Sequence, residues 1–237
     1  MSIEEHVRAV RARIDAAARA AGRDPGEITL CAATKVQTSD AIRQVIAAGV
    51  PVCGENRVQE MTAHLADNAY AGARLHFIGH LQTNKVRQVV GKADLIQSVD
   101  SLHLLRAIEG QADKLGIVQD ILLEVNIAGE ASKGGFPPEE VLSAALQTAA
   151  LDHVRLRGLM AIPPPVDAPE KNRPFFAAMY QLFVDIRRKM EDNISDIDCL
   201  SMGMSDDFEE AVAQGATLVR VGTALFGPRP PRTNAIE

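Results

Sequence analysis

The segment IDCLSMGMSDDFEEAVAQGATLVRVGTALFG, residues 197–227, reads as strand, small-residue loop, helix, strand and a second small-residue loop. An apolar run from Ile197 to Met202 is followed by helical periodicity from Ser205 to Ala213, then by a second apolar run from Thr217 to Val221. Two strands joined through a helix run parallel, so this is one βα unit and the start of the next. The same unit recurs toward the amino terminus. Strand six spans Leu156–Ile162, ends in Pro163–Pro165, and precedes a long helix from about Pro174 to Met190. Strand five, Ile121–Ile127, is the clearest, and the loop GEASKGG carries it to a helix that starts after Pro137 and Pro138, where proline suits a first turn. Strand four, Leu95–Val99, is followed by a helix from Ser101 to Leu115 that Gly116 stops; strand three, Leu75–Ile78, by a helix after Thr83. Strand two, Val52–Cys53, leads to a helix from about Asn56 to Ala66, and strand one, Ile28–Ala33, to a helix from Ser39 to Ala48.

Ahead of these units stands an amphipathic helix with Ser2 as N-cap, Glu5 completing a capping box and Gly22 as its stop. Eight βα units after one leading helix predict an α/β fold: a single (β/α)8 TIM barrel with an extra N-terminal helix, one domain spanning residues 1–237. An open doubly wound sheet accommodates fewer strands.

Composition agrees with one well-cored domain. Of 237 residues 46% are hydrophobic, and 25 Lys and Arg against 31 Asp and Glu give a net charge of −6. No basic block is present, which argues against nucleic acid and anionic membrane as partners, and no apolar run is long enough for a membrane span. The amino terminus is rich in Arg and Ala, but Glu4, Glu5 and Asp15 set it apart from a transit peptide. Cys31, Cys53 and Cys199 lie far apart within apolar runs, as expected of buried strand thiols in a reducing, cytoplasmic compartment.

In such a barrel the chemistry lies where strands end. Strand one ends at Ala33-Thr34-Lys35, placing an amine at the mouth. Barrel closure makes strand eight its neighbour, and the alternation of Leu218-Val219-Arg220-Val221 turns Arg220 inward, where a guanidinium requires a partner: a ligand, or an internal carboxylate such as Glu55 or Glu124. The loops Ser201-Met202-Gly203-Met204-Ser205 and Gly222-Thr223 suit a phosphate, with Asp206 and Asp207 either repelling it or capping the following helix. An amine, a guanidinium and a phosphate anchor in one mouth meet the needs of pyridoxal 5′-phosphate, whose aldehyde condenses with lysine and whose ring nitrogen takes a protein partner. With Arg as that partner the nitrogen stays unprotonated and the ring is a weaker electron sink.

Longer motifs carry a resemblance. AATKVQ at 32–37, GENRVQE at 54–60, HFIGHLQTNK at 76–85, VNIAGEASKGG at 125–135, GLMAIPP at 158–164 and residues 200–227 together resemble the pyridoxal phosphate homeostasis protein family, which is similar in fold to the barrel domain of alanine racemase. The resemblance implies pyridoxal phosphate bound to Lys35 as a Schiff base and Arg220 facing the ring nitrogen. Ser201, Gly222 and Thr223 would hold the phosphate with Met202 and Ser205 nearby, and Asn56 would stand beside the ring. It implies a protein that holds the cofactor and delivers it to apo-enzymes, supporting amino-acid and keto-acid balance, without robust turnover.

The rival is a weak amino-acid racemase, which would need a second acid/base opposite the lysine. The only tyrosines, Tyr70 and Tyr180, fall away from the predicted strand ends, and no second domain is expected. Lys85 and Lys133 read as solvated loop lysines with open roles, and His76 and His80 straddle a strand end without a third metal ligand. Met160, Met202 and Met204 read as core or pocket lining. A monomer is expected.

Overall fold

The computed structural model describes residues 1–130, 133–190 and 197–227; residues 131 and 132 of the GEASKGG loop therefore lie outside it. The elements run α1 (Ile3–Ala20), β1 (Thr29–Ala33), α2 (Ser39–Ala47), β2 (Val52–Glu55), α3 (Val58–Ala66), β3 (Arg74–Phe77), β4 (Leu95–Val99), α4 (Leu102–Leu115), β5 (Gln119–Val125), α5 (Val141–Ala149), β6 (Val154–Ala161), α6 (Arg173–Met190), β7 (Cys199–Ser201), α7 (Phe208–Ala213), β8 (Leu218–Val221) and α8 (Thr223–Phe226). All eight strands are parallel and pair in sequence order, with β8 returning to β1 to close the barrel. The expected (β/α)8 barrel with a leading helix is the observed one.

Alternation along each strand divides the core. Leu30 and Ala32 face outward into the large apolar cluster shared with the helices. Cys31 faces inward with Val52 and Leu218, while Leu95, Leu122 and Met160 form a second inner cluster. The leading helix carries the expected capping box: Ser2 Oγ accepts the Glu5 N–H, and the Glu5 carboxylate accepts the Ser2 N–H. Its buried stripe of Val7, Val10, Ile14 and Ala18 packs on the barrel, and Arg13 ties it to Glu209 of α7.

Several expected boundaries are corrected. The segment after Thr83 is a single 3-10 stretch, Thr83–Gln88, rather than an α-helix. The second strand extends through Gly54 and Glu55, and the fifth starts two residues earlier and ends at Val125, because Asn126 turns the chain by bonding both the N–H and the carbonyl of Glu130. The helix after the seventh strand begins at Phe208 rather than Ser205, and the GTALFG tail forms the short α8. Between β5 and β6 the register skips Arg157, which joins Asp120 and Asp198 at the amino-terminal end of the barrel. Gly158 follows at φ +146°, where a Cβ would stand 1.8 Å from the Cys199 carbonyl oxygen, so the approach of β6 to β7 excludes any side chain.

Candidate functional site

At the carboxyl ends of the strands, a cavity of about 220 Å³ is lined by residues that include Lys35, Asn56, Ile78, Met204, Ser205, Arg220, Gly222 and Thr223. These residues come from five strand ends, those of β1, β2, β3, β7 and β8, and the loops that follow them.

Lys35 is presented by a tight turn. The Gln37 N–H donates to the Thr34 carbonyl, closing Thr34–Gln37, and Val36 within it has φ +57°. Thr34 is anchored in the wall: its N–H donates to the Gly54 carbonyl, and its hydroxyl lies 2.6 Å from Glu55 Oε1. Glu55 is fully buried behind the wall and its Oε1 also accepts from Tyr70 and sits 3.0 Å from His64 Nδ1. Burial, followed by the charge of Glu55, pushes the Tyr70 hydroxyl well above its ordinary pKa, so it remains a donor. The residue after Glu55 is Asn56, whose Oδ1 is buried without a hydrogen-bond donor among the described residues.

Arg220 pairs in register with Cys31, so its side chain enters the barrel, where it is 4% exposed. Burial lowers its pKa, opposed by surrounding acidic groups. Its partners are the Ser201 hydroxyl and the Ala161 carbonyl at 2.9 Å. Neither Glu55 nor Glu124, the two carboxylates suggested by the sequence, hydrogen-bonds it among the described residues; Glu124 influences it only through its charge.

A directed chain continues inward. Arginine can only donate, so Ser201 Oγ accepts from it and gives its own hydrogen to Gln97 Oε1 at 2.7 Å. The Gln97 amide N–H then faces His76 Nδ1 at 2.9 Å, leaving the ring hydrogen on Nε2. Burial, and secondarily Arg74, depress His76 to a pKa of about 3, keeping it the neutral acceptor this chain requires. Ser201 is thus committed inside the barrel, and it and the fully buried Met202 lie beneath the cavity rather than in its lining.

The loops after β7 and β8 close on one another through Ser205, whose Oγ accepts the N–H groups of Gly222 (3.2 Å) and Ala224 (3.3 Å). With both lone pairs used, the hydroxyl hydrogen is left for an outward acceptor. Gly203, at φ +89°, allows this loop to press against α7: a Cβ there would meet the Ala211 Cβ at 2.5 Å. Asp207 is taken up locally, accepting from the Met204 N–H and from Asn172. Asp206 borders the cavity and is exposed at its rim.

Across the mouth, Lys133 is not the solvated lysine expected. Its ammonium is 2.5 Å from Glu130 Oε1 and 3.4 Å from the carbonyls of Ile162 and Pro163. His80 pairs with Asp100 at 3.1 Å, and burial, then Asp100, raise the pKa of nearby Glu124. Lys85 lies on the 3-10 stretch, and neither Tyr70 nor the exposed Tyr180 of α6 borders the cavity.

Residues 6–230 match the family described as the N-terminal domain of alanine racemase. The pyridoxal phosphate homeostasis protein of Pseudomonas aeruginosa is 41% identical over 96% of both chains, and that of Aquifex aeolicus 42% identical over 97% of this chain and 99% of its own. The chain belongs to the pyridoxal phosphate homeostasis protein family. Among solved structures, PipY of Synechococcus elongatus with pyridoxal phosphate bound superposes with a TM-score of 0.82 at 33% identity, covering 95% of this chain and 100% of PipY.

Within this family member, the sequence reading brought Lys35, Asn56, Ser205, Arg220, Gly222 and Thr223 to one mouth, and the structure places them around one cavity. It missed the supporting roles of Glu55, which it had offered as a partner of Arg220, and of Tyr70, His64, Gln97 and Glu60, whose carboxylate accepts the Val36 N–H at 2.9 Å. Gln97 carried one readable signal, since a polar residue inside the apolar run Leu95–Val99 of a buried strand requires a partner. The others depend on pairings that spacing does not encode.

Proposed function

We propose that this protein binds pyridoxal 5′-phosphate at Lys35 and delivers it to cofactor-requiring apo-enzymes, as one domain spanning residues 1–237, in the reducing cytoplasm and as a monomer. The observation that carries the reading is that Lys35, Asn56, Ser205, Arg220, Gly222 and Thr223 line a single cavity. The names of the relatives and the bound ligand of PipY support the same cofactor.

The donor set fits the group. Asn56 Oδ1 is a buried acceptor in need of a donor, such as a ring hydroxyl. Ser205 has a hydroxyl hydrogen to give, and of the N–H groups opening α8 that of Thr223 is spent neither on Ser205 nor on the Gly222 carbonyl, so both suit a phosphate. Arg220 is a permanent donor and would address an unprotonated ring nitrogen. Bound there, the cofactor would supply an electrophilic aldehyde for the lysine amine and a ring that draws electrons. The residues would contribute holding and orientation: Lys35 the covalent link, Gly222, Thr223 and Ser205 the phosphate grip, Arg220 the ring's polarity. Ser201 and Met202 would support them from below. No tyrosine among the described residues borders the cavity to act as a racemase's second base.

Delivery is tested by mixing the loaded protein with a pyridoxal-phosphate-dependent apo-enzyme in the presence of a phosphatase that destroys free cofactor. Recovery of the acceptor's activity, absent with Lys35→Ala, is expected. No recovery with the wild type contradicts delivery.

A further inference from the structure

Val36 is a β-branched residue held at φ +57°, a region such side chains avoid, and it adjoins the lysine proposed to carry the cofactor. Its side chain is 53% exposed, so packing does not impose this conformation. Two carboxylates on neighbouring elements do. Buried Glu55 fixes the start of the turn through the Thr34 hydroxyl, and half-buried Glu60 on α3 accepts the Val36 N–H at 2.9 Å, with Arg57 3.4 Å from its other oxygen. The turn is therefore rigid at Thr34, and around Val36 the Gln37 N–H to Thr34 carbonyl bond and one charge-assisted hydrogen bond to Glu60 hold it against backbone strain.

We infer that the Thr34–Gln37 turn is a strained latch, with Glu60 as its catch, that sets how readily Lys35 surrenders its cargo. The inference rests on the reading of Lys35 as the attachment point. Release hydrolyses the carbon–nitrogen double bond: water supplies the aldehyde oxygen and both its hydrogens pass to the nitrogen, regenerating the lysine amine. While the turn is closed, the amine is held where the aldehyde lies and re-forms the bond efficiently. When Val36 relaxes to an ordinary φ, the amine is withdrawn and hydrolysis prevails. The strain opposes the holding state and Glu60 sustains it, so one protein can both retain and relinquish a reactive aldehyde. Glu60 is a positioning residue, and Val36 sets the tension.

The test loads the wild type, Glu60→Ala, Glu60→Gln, Val36→Gly and Val36→Asn with pyridoxal phosphate and follows its loss to a phosphatase trap. Hydrogen exchange of the Val36 amide in the unloaded proteins and thermal unfolding are measured alongside. Glu60→Ala is expected to release about tenfold faster and to lose protection at the Val36 amide, and Glu60→Gln, which keeps an acceptor oxygen, to stay closer to wild type. Gly and Asn accept positive φ, so Val36→Gly and Val36→Asn are expected to release about fivefold more slowly. The opposite signs at exposed Val36 and half-buried Glu60 separate a latch from general loosening. Release rates indistinguishable from wild type, or shifted in the same direction by Glu60→Ala and Val36→Gly, overturn the latch while leaving the cofactor reading intact. A wild type that never links the cofactor to Lys35 overturns both.

Discussion

The two ends of the barrel both hold a cavity lined with charged side chains, and they differ in what those charges do. At the amino-terminal end a space of about 380 Å³ is bordered by Arg74, His76, Asp94, Asp120, Arg157 and Asp198. There Asp120 accepts from Arg155 and Arg157, Arg157 also reaches Asp198, and Asp94 takes the Leu75 N–H. At the mouth the space is smaller, about 220 Å³, yet a buried Asn56 oxygen lacks a donor among the described residues, Ser205 retains a hydroxyl hydrogen and Val36 is strained beside Lys35. Size alone would favour the amino-terminal end. Unspent hydrogen-bonding capacity and backbone strain beside Lys35 support the proposed site at the mouth, because a structure tolerates such costs where a ligand offsets them.

The sharpest way to break this contrast is Lys35→Ala. It should abolish covalent retention of pyridoxal phosphate, read by mass spectrometry after borohydride, while thermal unfolding stays near wild type, since trimming a half-buried side chain at the mouth opens no core cavity. A large drop in stability would make Lys35 a structural residue. Next comes Arg220→Ala, which strips the Ser201 hydroxyl and the Ala161 carbonyl of their donor and leaves a void. Urea titration should show a loss of about 3 kcal/mol. The same variant should hold the cofactor less tightly with a shifted absorption spectrum; an unchanged spectrum and release rate would mean that Arg220 does not touch the ring.

His76 sits between the two ends and sharpens the comparison through pH. The unfolded residue takes a proton near 6.5, whereas burial keeps the folded one neutral down to about 3. Between those values only the unfolded state gains the proton, so stability falls as pH falls, by about 1.4 kcal/mol per unit from this group. His76→Gln should flatten the slope between pH 6.5 and pH 4 in urea unfolding, and an unaltered slope would place a proton on the folded ring. Asp120→Ala carries the smallest effect. Its ion pairs are partly exposed, so about 1 kcal/mol should be lost, less at high salt, with cofactor retention unchanged.

Much of this was legible before the structure because it depends on periodicity and closure. Eight βα units imply that β8 meets β1, which alone brings Arg220 beside the strand that ends at Lys35. Helix stops and caps were likewise local: Ser2, Ser101 and Gly116 behave as their chemistry requires. Boundaries were lost where tertiary partners override propensity. Gly54 and Glu55 are poor strand formers, yet a Cβ on Gly54 would lie 2.8 Å from both Cys31 Sγ and an Ile78 methyl, and Glu55 is held by Thr34, His64 and Tyr70. The site's supports stayed hidden for the same reason. Gln97 and Ser201 lie 104 residues apart, and Val36 and Glu60 24 apart, so only the folded chain pairs them.

The central claim is that Lys35 carries pyridoxal phosphate in this mouth. It is tested most directly by the visible absorption spectrum of the cofactor-loaded protein before and after borohydride reduction, followed by mapping of the modified peptide. The account predicts a visible band that vanishes on reduction and a single modified residue, Lys35. A protein that takes up no cofactor, or one modified at Lys85 or Lys133 instead, would contradict it.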